Sequence, residues 1–252
     1  MSVVLAVANQ KGGVGKTTTV HSLGAALAER GRDVLLVDLD PQACLTYSMG
    51  LRPEDLAGSL HGVLVNRQPV EEIVAKVGDL RLLPSTIDLA GTEIHLLSKT
   101  GREYALARAL EPLRRSHDVV IIDCPPSLGI LTIDGLTAAN QVLIPLQCET
   151  LSHRGVGQLL ETVEDVRSFT NPDLKVAGVV ATMFDGRTRL AQDTLASVTS
   201  TYNLEVLGPP IPKSVRVAEA PSGGRSVLEH AASSPAAEAY RGLAAVIDER
   251  FL

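Results

Sequence analysis

The residues from Lys11 to Thr18 form a glycine-rich stretch with two lysines, KGGVGKTT. Phosphate oxygens need several backbone N–H donors that converge on one point, and glycines let a chain curl tightly enough to supply them. A helix beginning near Lys16 adds its N-terminal dipole and free N–H groups. The spacing predicts a phosphate-binding loop, with Lys16 on the β- and γ-phosphates and the Thr17 hydroxyl on Mg²⁺. We expect the nucleotide to contact Gly12, Gly13, Val14, Gly15, Lys16, Thr17 and Thr18.

The loop departs from the general G-x-x-x-x-G-K-[ST] pattern, because Gln10 stands where the first glycine belongs. A turn that merely joins a strand to a helix is the alternative interpretation, and the Lys16-Thr17 pair argues against it. The additional Lys11 cannot easily fold back onto phosphates that its own loop encloses. It is placed to reach the nucleotide of a facing subunit and neutralise charge during phosphoryl transfer. From spacing alone, a solvated surface lysine is also possible.

Three carboxylates follow predicted strands. Asp38 and Asp40 end the second strand on alternate residues, so their side chains share a face and one can lie near the γ-phosphate. Asp123 follows four apolar residues, 119–122, and is predicted to bind Mg²⁺ directly or through water. Pro125-Pro126 then stiffens a loop that can sense the γ-phosphate. The alternative interpretation is that each of these acids only belongs to a turn that follows a buried strand.

Short apolar runs alternate with longer amphipathic segments, a pattern typical of parallel strands covered by helices on both faces. The predicted strands are Val3–Ala8, Asp33–Val37, Leu80–Leu83, Val119–Ile122, Gln141–Pro145 and Lys175–Thr182. The predicted helices are Lys16–Arg30, Thr86–Ser98, Glu103–Arg115, Ile130–Ala139, Ser152–Phe169, Leu190–Tyr202 and Pro235–Arg250. This order predicts an α/β fold with one doubly wound, mostly parallel sheet and ligands at the carboxyl ends of its strands. No linker or repeat divides the sequence, so we expect residues 1–252 to form one domain.

Composition restricts the function further. A formal net charge of −6 argues against a wholly basic nucleic-acid binder, and 3% aromatic residues argue against base-stacking platforms. Cys44, Cys124 and Cys148 are widely separated, which argues against a disulfide framework or zinc site. The six histidines show no metal-ligand spacing. No apolar run reaches membrane-spanning length and no signal peptide is recognisable, so we expect a cytoplasmic protein.

Several sequence blocks together resemble the ParA/Soj/MinD group of deviant Walker-A ATPases. The loop matches its KGGVGKTT signature letter for letter. The likeness continues through residues 34–42, VLLVDLDPQ, and residues 119–127, VVIIDCPPS. It reappears in residues 145–149, PLQCE, and residues 211–222, IPKSVRVAEAPS. The sequence looks like a short Soj-type ParA partition protein without an N-terminal helix-turn-helix extension.

The resemblance implies an ATP-dependent sandwich homodimer in which Lys11 crosses to the partner's phosphates. It implies that Asp40 positions the attacking water, with Asp38 nearer the outer shell of the Mg²⁺. It also implies that Met183 and Pro212 lie against adenine, and the absence of an Asn-Lys-x-Asp motif there favours ATP over GTP.

The family also suggests where DNA would bind. Arg187 and Arg216 match arginines on the DNA-binding face of Soj-type dimers, and Lys213 stands where arginine is common. Non-specific double-stranded DNA, a ParB-type activator and a location on the nucleoid are therefore implied, although exposed arginines are usually only solvated surface.

Three other functions remain open. A MinD-like ATPase would position a non-DNA cargo or a membrane-associated partner through a basic C-terminal amphipathic helix, whereas residues 238–250 include Asp248 and Glu249. An iron–sulfur carrier would need paired cysteines. A P-loop biosynthetic ligase would need a dedicated substrate pocket, and the sequence does not reveal one.

Overall fold

The computed structural model describes residues 2–149 and 152–252. Within these ranges the strands are β1 (Val3–Val7), β2 (Val34–Asp38), β3 (Ala75–Val77), β4 (Leu80–Leu83), β5 (Val119–Asp123), β6 (Gln141–Gln147) and β7 (Lys175–Thr182). The α-helices are α1 (Lys16–Glu29), α2 (Cys44–Ser48), α3 (Leu60–Asn66), α4 (Leu89–Leu97), α5 (Ala105–Leu110), α6 (Ile130–Ala138), α7 (Ser152–Phe169), α8 (Arg189–Tyr202), α9 (Val215–Glu219), α10 (Val227–His230) and α11 (Pro235–Phe251).

The strands form one sheet in the order β3-β4-β2-β5-β1-β6-β7. Every pairing is parallel except that of β3 with β4. The predicted α/β class with a mostly parallel sheet is therefore confirmed. In the central strands, Val7 pairs with Asp123 and Asp123 with Asp38, so β1, β5 and β2 end side by side.

Helices cover both faces of this sheet. Buried residues of α3 to α8 share one apolar cluster with one face, including Leu106 and Leu159. Those of α1, α2, α10 and α11 share a second cluster with the other face, including Leu27 and Leu243. Strands β2 and β5 are apolar up to the aspartate that ends each of them, and both of their faces are buried. Among the described residues, no helix combines the length and apolarity that a bilayer crossing requires.

The structure differs from the prediction where the secondary-structure elements are short or irregular. The expected helix Glu103–Arg115 is three pieces: α5 lies between two 3-10 turns, Arg102–Tyr104 and Leu113–Arg115. Pro112 explains the second break, because proline has no N–H to donate and clashes with the preceding helical turn. The short elements β3, α2 and α3 were not predicted, since segments of three to seven residues contain too few periods to recognise.

Strand β7 contains a bulge that depends on Gly178. The register with β6 shifts there, because Val142 pairs with Val176 and Leu143 with Gly178. Gly178 has a φ of 147°, and a Cβ on it would lie 2.5 Å from the Glu205 carbonyl oxygen.

We expect Gly178→Ala to lower the free energy of unfolding by about 2 kcal/mol or more, since both backbone and neighbours must shift. Urea unfolding followed by circular dichroism measures this. The matched control is Gly91→Ala in α4, where an added Cβ meets nothing within 4 Å. That variant should be neutral or slightly more stable. Equal stability of the two variants would contradict the role given to the bulge.

Candidate active site at the carboxyl edge of the sheet

The phosphate loop connects β1 to α1. Gly13 and Gly15 have φ values of 74° and 86°, a region that side chains rarely adopt. Helix α1 begins at Lys16, and the Thr19 N–H donates to the Gly15 carbonyl oxygen at 2.9 Å. The free N–H groups of the first turn therefore lie directly behind the curled loop, the arrangement that binds phosphate at a helix N-terminus.

Side chains of neighbouring strands fix the two ends of this loop. The Asn9 amide donates to the Pro145 carbonyl at 2.7 Å and accepts from the Lys11 N–H at 2.9 Å. The Thr182 hydroxyl donates to the Val14 carbonyl at 2.7 Å. The loop is thus preorganised by β6 and β7. The sequence assigned no role to Asn9, and the resemblance placed Thr182 with Met183 near adenine rather than on the loop.

Lys16 is a buried cation that forms no salt bridge with a carboxylate in the described part of the chain. It is 7% exposed, and its ammonium donates to the Lys11 carbonyl oxygen at 3.3 Å. Burial lowers the pKa of Lys16, while the nearby charge of Asp123 raises it. A buried ammonium group without a counter-ion is suited to binding an anion that arrives from solution.

Asp123 is buried beside it, and neither carboxylate oxygen has a hydrogen-bond partner among the described residues. Burial, then the charge of Asp38, raises the pKa of Asp123 well above its usual range, and the nearby charge of Lys16 opposes this rise. Such a carboxylate, next to a threonine hydroxyl and the phosphate loop, fits one protein ligand of Mg²⁺. No group of three or more His, Cys, Asp or Glu side chains in the described ranges forms a metal cage. Magnesium usually takes only one or two carboxylates, with phosphates and waters completing its shell.

Asp38 and Asp40 have different surroundings. Asp38 is fully buried and accepts from the Thr46 N–H and hydroxyl, both at 2.7 Å. Burial raises the pKa of Asp38 to about 6, and the Thr46 hydrogen bonds oppose the rise. Strand β2 ends at Asp38, so Asp40 lies beyond the strand rather than in it. Asp40 heads a turn closed by the Ala43 N–H, and its carboxylate accepts from the Gln42 N–H at 2.9 Å.

An open cleft of about 740 Å³ extends over the loop. Its lining includes Gly12, Lys16, Thr17 and Asp40, so the sequence-predicted phosphate ligands and the predicted water-positioning acid share one space. The lining also includes Pro126, from the loop expected to sense the γ-phosphate, and residues that were not predicted as ligands: Gln42, Ala43, Cys44, Tyr47, Ser48, Pro53, Glu54 and Pro221. They come from loops and short helices that only the tertiary fold brings to this edge.

Lys11 lies at the rim and points away from its own loop's interior. Its ammonium forms a salt bridge with Glu149 at 2.5 Å, and the two side chains are 33% and 52% exposed. The other Glu149 carboxylate oxygen accepts from the Gln147 amide at 2.6 Å. The sequence analysis gave Glu149 no role. Its position two residues after β6, at the carboxyl edge of the sheet, could have indicated that it lies near the site.

Comparison with known proteins places this site in a family. A family model described as an AAA domain matches residues 2–176. The sporulation initiation inhibitor protein Soj of Bacillus subtilis is 44% identical over 97% of this chain and 97% of its own length. The chromosome-partitioning ATPase Soj of Thermus thermophilus is 46% identical, over 95% and 93%. The chain belongs to the ParA/Soj family of P-loop ATPases. It is accordingly an ATPase.

A solved structure carries a different name. The structure titled cobyrinic acid a,c-diamide synthase from Mycobacterium smegmatis, with bound ADP and magnesium, has a TM-score of 0.89 and 52% identity. The match covers 99% of this chain and 95% of that one.

The residues expected against adenine lie outside the cleft over the phosphate loop. Met183 follows β7 with a φ of 48°, and Phe184 forms a parallel bridge with Pro212. Met183 and Pro212 are thus on adjacent segments. Neither lines the cleft over the loop, so their contact with a base stays a prediction.

The three residues expected to bind DNA are exposed. Arg187 forms a salt bridge with Asp185 at 2.9 Å. Hydrogen bonds from the side chain and backbone of Arg187 lower the pKa of Asp185 to about 2. Arg216 is paired with Glu219 at 3.3 Å. Lys213 forms no salt bridge in the described part of the chain. The segment with Arg216 lies near the phosphate loop, since Val217 lines a small cavity together with Thr17 and Thr18.

We expect Lys16→Ala to lose nucleotide affinity by at least about a hundredfold, because the loop loses its buried cation. Calorimetry with ATP and Mg²⁺ measures the binding. Lys16 forms no salt bridge in the described part of the chain, so the cost of burying it offsets its attraction to the nearby Asp123, and the melting temperature without nucleotide should change little. A variant that melts lower but still binds ATP would contradict this assignment.

Proposed function

We propose that this ParA/Soj-family chain is a DNA-partition ATPase that works as a nucleotide-dependent timer. ATP with Mg²⁺ joins two subunits in a sandwich homodimer, and the dimer binds double-stranded DNA non-specifically on the nucleoid. A ParB-type partner accelerates hydrolysis to ADP and phosphate, and the subunits separate. One observation carries the proposal: the loop holds its own buried Lys16, while a second lysine, Lys11, stands exposed at the rim and available to a facing subunit.

The residues at the carboxyl edge of the sheet have different roles in the proposed mechanism. Backbone N–H groups of the loop and Lys16 hold the phosphates, while Thr17 and Asp123 hold magnesium, with Asp38 behind them. Magnesium would supply charge neutralisation at the transferring phosphate. Asp40 orients the attacking water: one of its carboxylate oxygens is held by the Gln42 N–H, which fixes the group and leaves the other to accept from water. Lys11 of the facing subunit stabilises the charge that develops on the phosphate.

The DNA face would consist of Arg187, Lys213 and Arg216. Two of these cations are paired within the chain, with Asp185 and Glu219. DNA phosphates must displace or share these pairs, which are exposed and therefore weak. Binding by so few cations per subunit favours a dimer, in which two sets of phosphate contacts act together.

The C-terminal helix argues against the MinD-like alternative. In α11, Tyr240, Leu243 and Ile247 are buried in the cluster that also contains residues of α1. This apolar face is therefore occupied within the chain, whereas membrane association requires a free one.

A second candidate function comes from the Mycobacterium smegmatis structure named as a cobyrinic acid a,c-diamide synthase. Amide formation on a carboxylic acid needs cations that hold the acid beside the γ-phosphate. The cleft here offers Lys16 as the one lysine or arginine among its described lining residues, together with the carboxylates of Asp40 and Glu54. That charge balance disfavours a polycarboxylate substrate.

Two assays distinguish these functions. In a DNA-retention assay, the partition function predicts binding with ATP and none with ADP or without nucleotide. The synthase function predicts ADP release that requires cobyrinic acid with ammonia or glutamine, and an amide product by mass spectrometry. DNA retention independent of nucleotide would contradict the timer.

Asp40→Ala should bind ATP and dimerise yet lose hydrolysis by about a hundredfold or more, because the attacking water is no longer positioned. Phosphate release measures turnover, and light scattering measures the dimer. Lys16→Ala, which should bind no nucleotide, is the matched control. Normal turnover by the Asp40 variant would remove this residue from the mechanism.

Glu149→Gln should strengthen the ATP-dependent dimer by about tenfold. Each subunit must break its Lys11–Glu149 pair before Lys11 can cross, and an exposed pair contributes up to about 1 kcal/mol. Sedimentation with a non-hydrolysed ATP analogue measures the dissociation constant. Gln147→Ala, which removes the amide that donates to the other carboxylate oxygen but keeps the Lys11–Glu149 salt bridge, serves as the comparison and should dimerise like the parent. A weaker dimer in Glu149→Gln would mean that Glu149 supports the interface instead.

Arg216→Glu should abolish DNA retention while ATP binding stays intact, since charge reversal repels phosphate without touching the loop. Retention is compared at matched salt. Arg115→Glu reverses an exposed arginine just before β5, at the opposite edge of the sheet, and should retain DNA like the parent. Equal retention by all three proteins would refute this DNA face.

A further inference from the structure

A second, open cavity is separate from the cleft over the phosphate loop. It has a volume of about 530 Å³ and is bounded by α3, the loop after it, the end of α4 and α5. Small-molecule sites have volumes of roughly 300–1,000 Å³. This cavity shares no lining residue with the cleft over the phosphate loop. The proposed ATPase mechanism does not use it.

Cationic side chains dominate the polar part of this cavity. Arg67, Lys99, Arg102 and Arg108 line it, and Glu71 is the one carboxylate among the described lining residues. The whole chain has a net charge of −6, so this cluster opposes the overall charge. In the ranges that the structure describes, Arg67, Lys99 and Arg108 form no salt bridge. Several unneutralised cations around one concave space attract a multivalent anion.

Two of the guanidinium groups are already held in place. Arg102 donates from Nη1 to the Leu97 carbonyl at 2.8 Å and from Nε to Glu103 at 2.9 Å. Arg108 donates from Nη2 to the Gly101 carbonyl at 2.7 Å. Each guanidinium has five N–H donors, so both retain donors beyond these contacts. A fixed planar fork matches the oxygens of a phosphate or carboxylate group.

Most of the remaining wall of the cavity is apolar, with Gln68 and Thr100 as its uncharged polar residues. The apolar lining residues are Val63, Leu64, Val65, Pro69, Val70, Leu96, Ala105, Ala109 and Pro112. A bare inorganic ion would leave this surface uncovered. A ligand with both an anionic group and a flat or apolar body would cover it and meet the cations at the same time.

We propose that this cavity binds a small organic phosphate that carries at least two negative charges and an aromatic or apolar body, the chemistry of a nucleotide. Arg102 and Arg108 also serve the fold, since they hold the carbonyl groups of Leu97 and Gly101 at the end of α4. Arg67 and Lys99 are exposed and make no such contact. They are therefore the residues through which binding can be tested without disturbing the structure.

The test uses the full chain with its phosphate loop saturated by ADP and Mg²⁺, and titrates GMP in a calorimeter. GMP has two negative charges and an aromatic base but no β-phosphate, so it competes poorly for the phosphate loop. We expect a dissociation constant of about 1 mM or tighter. Inorganic phosphate under the same conditions should bind at least about threefold more weakly, because it leaves the apolar walls uncovered.

The double variant Arg67→Glu/Lys99→Glu should bind GMP at least tenfold more weakly than the parent, with unchanged melting temperature and unchanged ADP affinity. Lys175→Glu reverses an exposed lysine that begins β7 and does not line the cavity, and it should bind GMP like the parent. No heat from GMP with the parent, or equal affinity in the double variant, would overturn the proposal. Unchanged ADP affinity in every variant keeps this result separate from the ATPase site.

Discussion

The structure depends on one electrostatic arrangement: a buried lysine and a buried aspartate that lie near one another without forming a salt bridge. Lys16 is removed from water at the start of α1, and Asp123 at the end of β5 has no hydrogen-bond partner among the described residues. Taking each charge out of water is costly, and within the chain neither is fully compensated. In the proposed mechanism, a triphosphate with its magnesium ion would supply both missing partners, the anion to the lysine and the cation to the aspartate.

In the proposed dimer, this arrangement connects ligand binding to subunit association. The loop that holds Lys16 also carries Lys11, and the Asn9 side chain links the Lys11 backbone to β6. Strand β6 leads to Glu149, which pairs with the Lys11 ammonium. The exposed lysine therefore has one partner within its own chain and, in the proposed dimer, another on the facing nucleotide. Because the internal pair is exposed and weak, the exchange between the two partners can be reversible.

Charge is distributed unevenly over a chain with a net charge of −6. Both arginines proposed to bind DNA form salt bridges with carboxylates of their own chain. A single subunit therefore presents little unpaired positive charge on the proposed DNA face. The unneutralised cations around the cavity of α3, α4 and α5 lie elsewhere. Total charge therefore says little about which anions this protein binds, and the local pairing of each cation decides it.

The sequence by itself determined the phosphate loop, the strand and helix that flank it, and the mostly parallel sheet. Those features depend on local rules: glycine's access to positive φ, the apolar runs of strands buried on both faces, and the signals that begin helices. The tertiary structure decided which distant groups meet. It alone paired Glu149 with Lys11 and placed the Thr46 hydroxyl against Asp38. It also left Asp123 without a hydrogen-bond partner in the described part of the chain and placed Asp40 beyond its strand. Side-chain pairing across more than a hundred residues, as between Lys11 and Glu149, leaves no periodic trace in a sequence, because it depends on strand order rather than on spacing.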